Sequence, residues 1–429
     1  MSTDSSYTEK SAIIAFLFLL AFAVRLAFFF YSTDDPNSVQ TGWGDDSIFH
    51  LSAIHILEGK GYVFDYGKLP SPDAPPTAWH PPLYSMIIAI IYSIFGKYPV
   101  AVYLFHILSR SVVCVLVYFI AQELFQNRRI SILSGIVSAL IPDLIYGVNR
   151  FQKENLYLLL MCIFVFIMAR FCRKSSFKKS IALGVLGGML CLTRSEFLLA
   201  AILMPGVFLT MRPRRIMAKH AACFGSIVLV FILAWGIRNH LVFDKWIFSA
   251  TGRGTTFSQS NNNASTGHSL SGLRRGERPG LAIIRVCDDE TTADDKAFEL
   301  GKAWIKQNPS KFLLLLPKKF IGLWGPIPRG LAIEERNRAI YFAILVENLV
   351  LLPLFLYGLF ITAPHWRRLL PIYILFLQAT ATALIFYGNL RTRAPVLPFM
   401  VVIASYAVVH LWDKYFTKLV PAGDPQNGL

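Results

Sequence analysis

His80-Pro81-Pro82-Leu83-Tyr84-Ser85-Met86-Ile87-Ile88-Ala89-Ile90-Ile91-Tyr92-Ser93-Ile94-Phe95-Gly96 decides how this chain is threaded. The proline pair favours the first turn of a helix, and the apolar run 83–95 continues unbroken to the glycine. At about 13 residues it falls short of the roughly 20 that a helix needs to cross a bilayer. Whether it crosses sets the side of everything after it. The basic linkers around Arg128-Arg129, 170–179, 212–219 and Arg367-Arg368 arbitrate. Counting 83–95 as a span would put these linkers outside. Laying it in the outer interface, as a re-entrant or interfacial helix, puts all four inside, as the positive-inside rule requires.

Composition supports a membrane reading. Of 429 residues, 54% are hydrophobic, 14% aromatic and only 16% charged, where a soluble protein carries about 25% charged residues; mean hydropathy is +0.49. Apolar runs of span length cover 11–31, 101–121, 131–148, 154–171, 219–240, 340–362, 369–388 and 394–412. Segment 180–211 holds two short spans broken near Thr193-Arg194-Ser195-Glu196. The expectation is an all-α polytopic membrane protein with about ten spans and both ends cytoplasmic. No small-residue cleavage site follows 11–31, so that run reads as an uncleaved span. The outer side then holds 32–100, 149–153, 194–195, 241–339 and 389–393. The net charge of +16 belongs to the linkers and to anionic lipid, not to nucleic acid. Of the six cysteines only Cys287 lies in a long polar segment, which excludes a disulfide framework and a metal-type spacing.

Ionisable residues at helix mouths are costly and mark function. The topology gathers them on the outer side: Asp45 and Asp46 after the first span, His80, then Arg150, Lys153 and Glu154, Arg194 with Glu196, Arg238, and Arg391 with Arg393. A carboxylate beside several guanidiniums suits group transfer from a lipid phosphate. The carboxylate takes the proton of an acceptor hydroxyl, and Arg or Lys holds the departing phosphate. Each residue also has a plainer use. Asp45-Asp46 suit a helix N-terminus, and Arg238, Arg391 and Arg393 suit snorkelling at span ends. The acidic patch Asp288-Asp289-Glu290 and Asp294-Asp295 reads as a solvated loop face, and 311–325, with Lys318-Lys319, as an amphipathic interfacial helix. Asn263-Ala264-Ser265 matches the glycosylation sequon, a weak signal. Trp43, Trp79 and Tyr62 are aromatic candidates for stacking on a sugar, though an interfacial belt explains them as well.

Gly44-Asp45-Asp46-Ser47-Ile48-Phe49-His50, the stretch to Glu58-Gly59-Lys60-Gly61-Tyr62, and His80-Pro81-Pro82-Leu83-Tyr84 resemble the first outer loop of GT-C glycosyltransferases. The kinship is with the family 39-like group of protein O-mannosyltransferases and lipid A aminoarabinose transferases. Leu192-Thr193-Arg194-Ser195-Glu196, Trp235-Gly236-Ile237-Arg238-Asn239 and Arg391-Thr392-Arg393-Ala394-Pro395 resemble the bacterial members. The resemblance implies a GT-C fold with juxtamembrane helices in the first outer loop. It divides the chain into a transmembrane module, 1–240, with a catalytic loop, 32–100; an extracytoplasmic region with an interfacial helix, 241–339; and C-terminal spans with a short cytoplasmic tail, 340–429. It also implies a bacterial inner-membrane enzyme that inverts a monosaccharide in one displacement. The donor would be a polyprenyl-phosphate sugar and the acceptor a glycan, lipid or protein. Asp45 falls on the family's loop acid, with Asp46 in reserve, and Arg150 and Glu154 on its second-loop pair. His80 stands where the aminoarabinose transferases carry Lys, which leaves the phosphate contact to Lys153, Arg238, Arg391 or Arg393. No cofactor is certain from these residues; a divalent metal ion at Glu154 is an open option. The rival readings are a transporter or flippase of a lipid-linked sugar, or a polysaccharide polymerase or ligase.

Overall fold

A computed structural model describes residues 2–39, 44–64, 74–268, 283, 287, 289–329 and 338–416. The described residues fold into helices joined by short connections. The long ones are α1 (Ser2–Ser32), α4 (Pro99–Phe125), α7 (Glu154–Arg173), α11 (Arg214–Phe243), α15 (Arg338–Ile361), α16 (Trp366–Ile385) and α18 (Leu397–Tyr415). Shorter helices are α2 (Asp45–Leu57), α3 (Leu83–Phe95), α5 (Arg128–Leu140), α6 (Pro142–Tyr146), α8 (Phe177–Cys191), α9 (Phe197–Leu203), α10 (Pro205–Leu209), α12 (Arg253–Ser260), α13 (Glu290–Gln307), α14 (Pro309–Trp324) and α17 (Leu390–Arg393).

Among the described residues, seven helical segments are long and apolar enough to cross a membrane, and eight if a bent pair, 128–140 with 142–149, counts as one span. The remaining two of the ten expected spans are α8 and the pair α9–α10. At 15 residues for α8 and 13 for 197–209, each reaches only about 20 Å, short of the bilayer's ~30 Å core. α8 compensates by packing tightly on α11: a Cβ at Gly188 would lie 2.4 Å from the Phe231 ring, so only a small residue lets the two backbones approach. The expected break at 193–196 is present and turns the chain between α8 and α9.

The short run 83–95 forms α3 with the expected bounds. It buries Tyr84, Ile88 and Tyr92 against the bundle and exposes Met86, Ile90, Ile94 and Phe95. An apolar outer face on a helix of about 20 Å is consistent with a re-entrant or interfacial helix.

The run 131–148 is not one straight span. Pro142 breaks it with a 52° bend, because proline lacks the N–H that would reach the Ser138 carbonyl. The next donor, Asp143 N–H, turns away to Glu347 Oε2 at 3.0 Å, leaving the Ala139 carbonyl without its helical partner. Arg25, fully buried inside α1, takes up both carbonyls: it donates to Ser138 O and to Ala139 O, each at 3.1 Å. A guanidinium inside the bundle is thereby explained by two backbone acceptors that a proline set free.

Two expectations for the 241–339 region are corrected. The acidic patch is not simply a solvated face. Asp294 is buried and accepts from Gly254 N–H at 2.6 Å, and Glu290 is bonded to the 77–78 loop. Asp289 caps α13 through Thr291 and Thr292 N–H, and Asp295 pairs with Lys245 on the surface. α14 exposes an apolar face at Leu313, Leu314, Phe320 and Ile321, as an interfacial helix does. Lys319, however, is buried and binds the C-terminal carbonyls of α16, Leu384 O and Ile385 O, at 3.1 and 3.2 Å.

Candidate functional site

Five elements bring their ends together. α2 starts at Asp45, after Gly44, with both acids in its first turn and no side-chain cap. The loop before α3 presents His80. α7 begins at Glu154 with Lys153 at its N-cap. The turn between α8 and α9 carries Arg194, and α17 carries Arg391. Asn389 fixes the start of α17 by accepting from Thr392 N–H at 3.0 Å.

Arg391 is the centre of the cluster. Its Nη2 donates to Asp45 Oδ2 at 2.6 Å and its Nε to Glu154 Oε1 at 2.5 Å. Arg194 approaches the same Glu154 oxygen at 3.1 Å and forks onto Glu196 at 2.6 and 2.7 Å. On the other side of Asp45, His80 Nε2 lies 3.4 Å from Oδ1, and Lys153 Nζ donates to His80 Nδ1 at 3.1 Å. Because Nδ1 accepts from the ammonium, the imidazole proton sits on Nε2, facing Asp45. Phe49 stacks on the His80 ring at 5.0 Å, and Lys153 lies over the Phe49 ring.

Electrostatics separate the two neighbouring acids. Burial works to raise the Asp45 carboxyl, but Arg391, His80 and Lys153 override it and hold it well below the usual carboxylate range. At Asp46 the pull of Arg150 and Arg391 is outweighed. Burial and the Asp45 charge push it up to about 6. Burial and the Lys153 charge lower His80 to about 4, so its contact with Asp45 is that of a neutral imidazole. Burial and Arg194 lower Lys153 to about 8, which leaves it mostly protonated at neutral pH.

Of the residues expected to meet, Asp45, His80, Lys153, Glu154, Arg194 and Arg391 do so by contact. Asp46 and Arg150 flank them: Arg150 donates to the Tyr146 hydroxyl, and its charge is felt at Asp46. Two do not join. Arg238 donates to Thr77 O at 2.8 Å and Tyr62 O at 3.0 Å and braces the loop that carries His80. Arg393 is buried elsewhere, on Asn348 Oδ1 at 2.6 Å and 3.8 Å from Asp143. Tyr62 and Trp79 are buried packing residues of the same loop, and Trp43 lies outside the described residues.

Sequence reasoning missed the buried charges Arg25, Arg110, Asp143 and Glu347. All stand inside apolar runs, so the rule that flagged the helix mouths would have found them. It also missed Glu290, whose carboxylate binds Thr77 Oγ1 at 2.7 Å, Ala78 N–H at 2.5 Å and Thr251 Oγ1 at 3.0 Å, just before His80.

A divalent metal ion does not fit the cluster well. Among the described residues no three His, Cys, Asp or Glu side chains converge in a way that could hold one, and Arg391 already occupies an oxygen of both Asp45 and Glu154. Glu154 Oε2 is buried with no hydrogen-bond partner, which leaves it free to accept from a hydroxyl.

Comparisons with known proteins agree with this architecture. The family described as dolichyl-phosphate-mannose-protein mannosyltransferase matches residues 79–237, from the residue before His80 into α11. No curated protein sequence matches the chain. Among solved structures, the Archaeoglobus fulgidus oligosaccharyltransferase AglB, in complex with an inhibitory peptide and a dolichol-phosphate, aligns with a TM-score of 0.58 at 13% identity, over 97% of this chain and 52% of its own. The same organism's enzyme with zinc and sulfate gives 0.56 at 12%, over 95% and 50%. ArnT from Cupriavidus metallidurans, bound to undecaprenyl phosphate, aligns at 14% identity over 91% of this chain and 77% of its own, with a TM-score of 0.40. The chain thus spans about half the length of the oligosaccharyltransferases, whose likeness is one of fold. The chain has a fold similar to that of the oligosaccharyltransferases, and its residues 79–237 match the mannosyltransferase family.

Proposed function

We propose that the chain is a membrane glycosyltransferase that moves a monosaccharide from a polyprenyl-phosphate donor to an acceptor hydroxyl, at the extracytoplasmic side of a bacterial inner membrane. The observation that carries this reading is Arg391, held between the carboxylates of Asp45 and Glu154 with Lys153 and Arg194 close by. A donor phosphate entering there offers Arg391 a better anionic partner, and its departure from Asp45 unmasks a base next to the reacting carbon. The acceptor oxygen bonds to the anomeric carbon as its proton passes to Asp45. The bond from that carbon to the phosphate oxygen breaks, and polyprenyl phosphate leaves with the electron pair. Lys153 and Arg391 neutralise it. Displacement from one side inverts the anomeric centre, as the family resemblance implies. Glu154 Oε2 orients a sugar hydroxyl. Asp46 is the alternative base, and no step is routed through a metal.

A second reading, transport of a lipid-linked sugar, draws on the bent pair α5–α6 and the charges Asp143, Glu347 and Arg393 beside it, since broken helices with buried charges also serve transporters. Purified full-length chain in detergent, where no compartments exist, separates the two. Incubated with a synthetic polyprenyl-phosphate sugar, a transferase releases polyprenyl phosphate in the presence of acceptor, and Asp45→Asn does not. Absence of release with every donor, while deletion cells accumulate a polyprenyl-phosphate sugar by mass spectrometry of their lipids, would support transport instead.

A further inference from the structure

At the end of the bundle away from Asp45, a cavity of about 540 Å³ opens between the start of α11, the start of α16 and the end of α10. α7 separates the two ends by its 20 residues, about 30 Å. Arg212, Arg214, Arg367 and Arg368 line the cavity together with Trp366 and Leu209, and among the described lining residues there is no carboxylate. Helices of 30 and 20 residues, α11 and α16, begin here, and neither has a side-chain cap. Their first N–H groups and the positive ends of their dipoles therefore add to the guanidiniums.

A topological need for positive charge explains arginines at this end but not their arrangement. Several other arginines at the same end have carboxylate partners. Arg128 pairs with Glu9, Arg129 forks onto Asp413 at 2.7 and 2.8 Å, and Arg173 binds Glu123 at 2.7 Å with Arg170 at 3.7 Å. The four around the cavity share a concave space whose described lining holds no carboxylate, although Arg368 also borders a neighbouring cavity with Glu123. Such a site takes a phosphate. Trp366 and Leu209 are 45% and 48% exposed at its rim, an apolar border suited to acyl chains beside a headgroup.

We propose that this cavity binds the phosphodiester headgroup of an acidic phospholipid, remote from the Asp45 cluster. Basic pockets between helices recognise anionic headgroups by this chemistry, at about fivefold in affinity for each Lys or Arg near the surface. The test is native mass spectrometry of the full-length chain in detergent, delipidated and then titrated with phosphatidylglycerol, phosphatidylcholine or inorganic phosphate. Phosphatidylglycerol is expected to bind at least about tenfold more tightly than phosphatidylcholine. The double variant Arg367→Gln/Arg368→Gln is expected to lose about 25-fold, with an unchanged unfolding temperature, whereas Arg128→Gln/Arg129→Gln stays within about twofold. Equal loss in both double variants would mean diffuse charge attraction and overturn the site. Displacement of phosphatidylglycerol by an equal concentration of inorganic phosphate would make the ligand a soluble phosphate and overturn the lipid assignment. If the glutamine pair fails to fold, Arg367→Lys/Arg368→Lys serves in its place: loss of the bidentate fork should still weaken phosphatidylglycerol several-fold, and wild-type binding would overturn the proposal.

Discussion

Arg391 and Arg393 stand two residues apart on the same four-residue helix and do opposite things. Arg391 is about one-third exposed and holds two carboxylates; Arg393 is 1% exposed and is tied to Asn348, Gly325 O and Asp143. Two helical positions differ by about 200° around the axis, so one guanidinium faces the cluster and the other faces the core between α14, α15 and α6. The short helix is a bracket with one arm for chemistry and one for anchorage. Chemical identity of a side chain in a motif therefore says less than its angular position on the element.

The largest effect that would break this contrast is on turnover. Asp45→Asn and Arg391→Gln are each expected to reduce kcat by about 10³-fold, from loss of the base and of phosphate stabilisation, with little change in unfolding temperature. Release of polyprenyl phosphate from a synthetic donor measures the first, and thermal unfolding in detergent the second. Should Arg391→Gln retain kcat, Arg391 is an anchor like its neighbour.

Arg393→Leu should act on the other axis. Removing one member of a buried charge contact costs about 3–5 kcal/mol, which appears as a lower unfolding temperature and yield, while the folded fraction keeps kcat within about threefold. Adding Asp143→Asn removes the stranded charge and is expected to restore much of the stability, because replacing both partners is far cheaper than replacing one. If the double variant is no more stable than Arg393→Leu, Asp143 is not the group that Arg393 serves.

The sequence carried much of this site, for a physical reason. Charges at the ends of apolar runs must lie near one membrane surface, so topology alone collects Asp45, His80, Lys153, Glu154, Arg194 and Arg391 in one layer. The apolar run 83–95 ends where its flanking Pro82 and Gly96 place it, and α3 has those bounds. What topology cannot give is direction within that layer. Arg238 lies in the right layer but turns to backbone carbonyls of the 62–77 loop. Arg393 was grouped with Arg391 because 389–393 read as a loop, in which helical angles carry no information. Glu290 was assigned to solvent because its partners, Thr77 and Ala78, are more than two hundred residues away in the chain.

That long-range clamp predicts an intermediate effect. Glu290→Gln keeps the shape but gives up the charge-assisted bonds to Thr77 and Ala78, at about 1–3 kcal/mol. The loop leading to His80 should then loosen, with kcat/KM falling about tenfold and the His80–Asp45 contact becoming less well held. Limited proteolysis across 74–82, compared between wild type and variant, reads the loosening independently of activity; an unchanged cleavage rate would mean the clamp is redundant with Arg238.

The smallest effect distinguishes the two acids at the start of α2. Asp45 is held well below the usual range and stays ionised across working pH, whereas burial and the Asp45 charge raise Asp46 to about 6. Ionised Asp46 repels Asp45 and so makes it the stronger base; protonating Asp46 removes that push. Activity should therefore peak near pH 7, before Lys153 loses its proton near 8, fall about twofold by pH 6, where Asp46 is half protonated, and fall further below. In Asp46→Asn the limb near 6 should vanish and leave a lower, flat profile between pH 5 and 7, because Asp45 does not titrate there. If instead Asp46→Asn abolishes turnover while Asp45→Asn keeps an acid limb, moved below 6 by loss of the Asp45 charge, Asp46 is the base, and the paired, strongly ionised Asp45 serves to hold Arg391 for the phosphate.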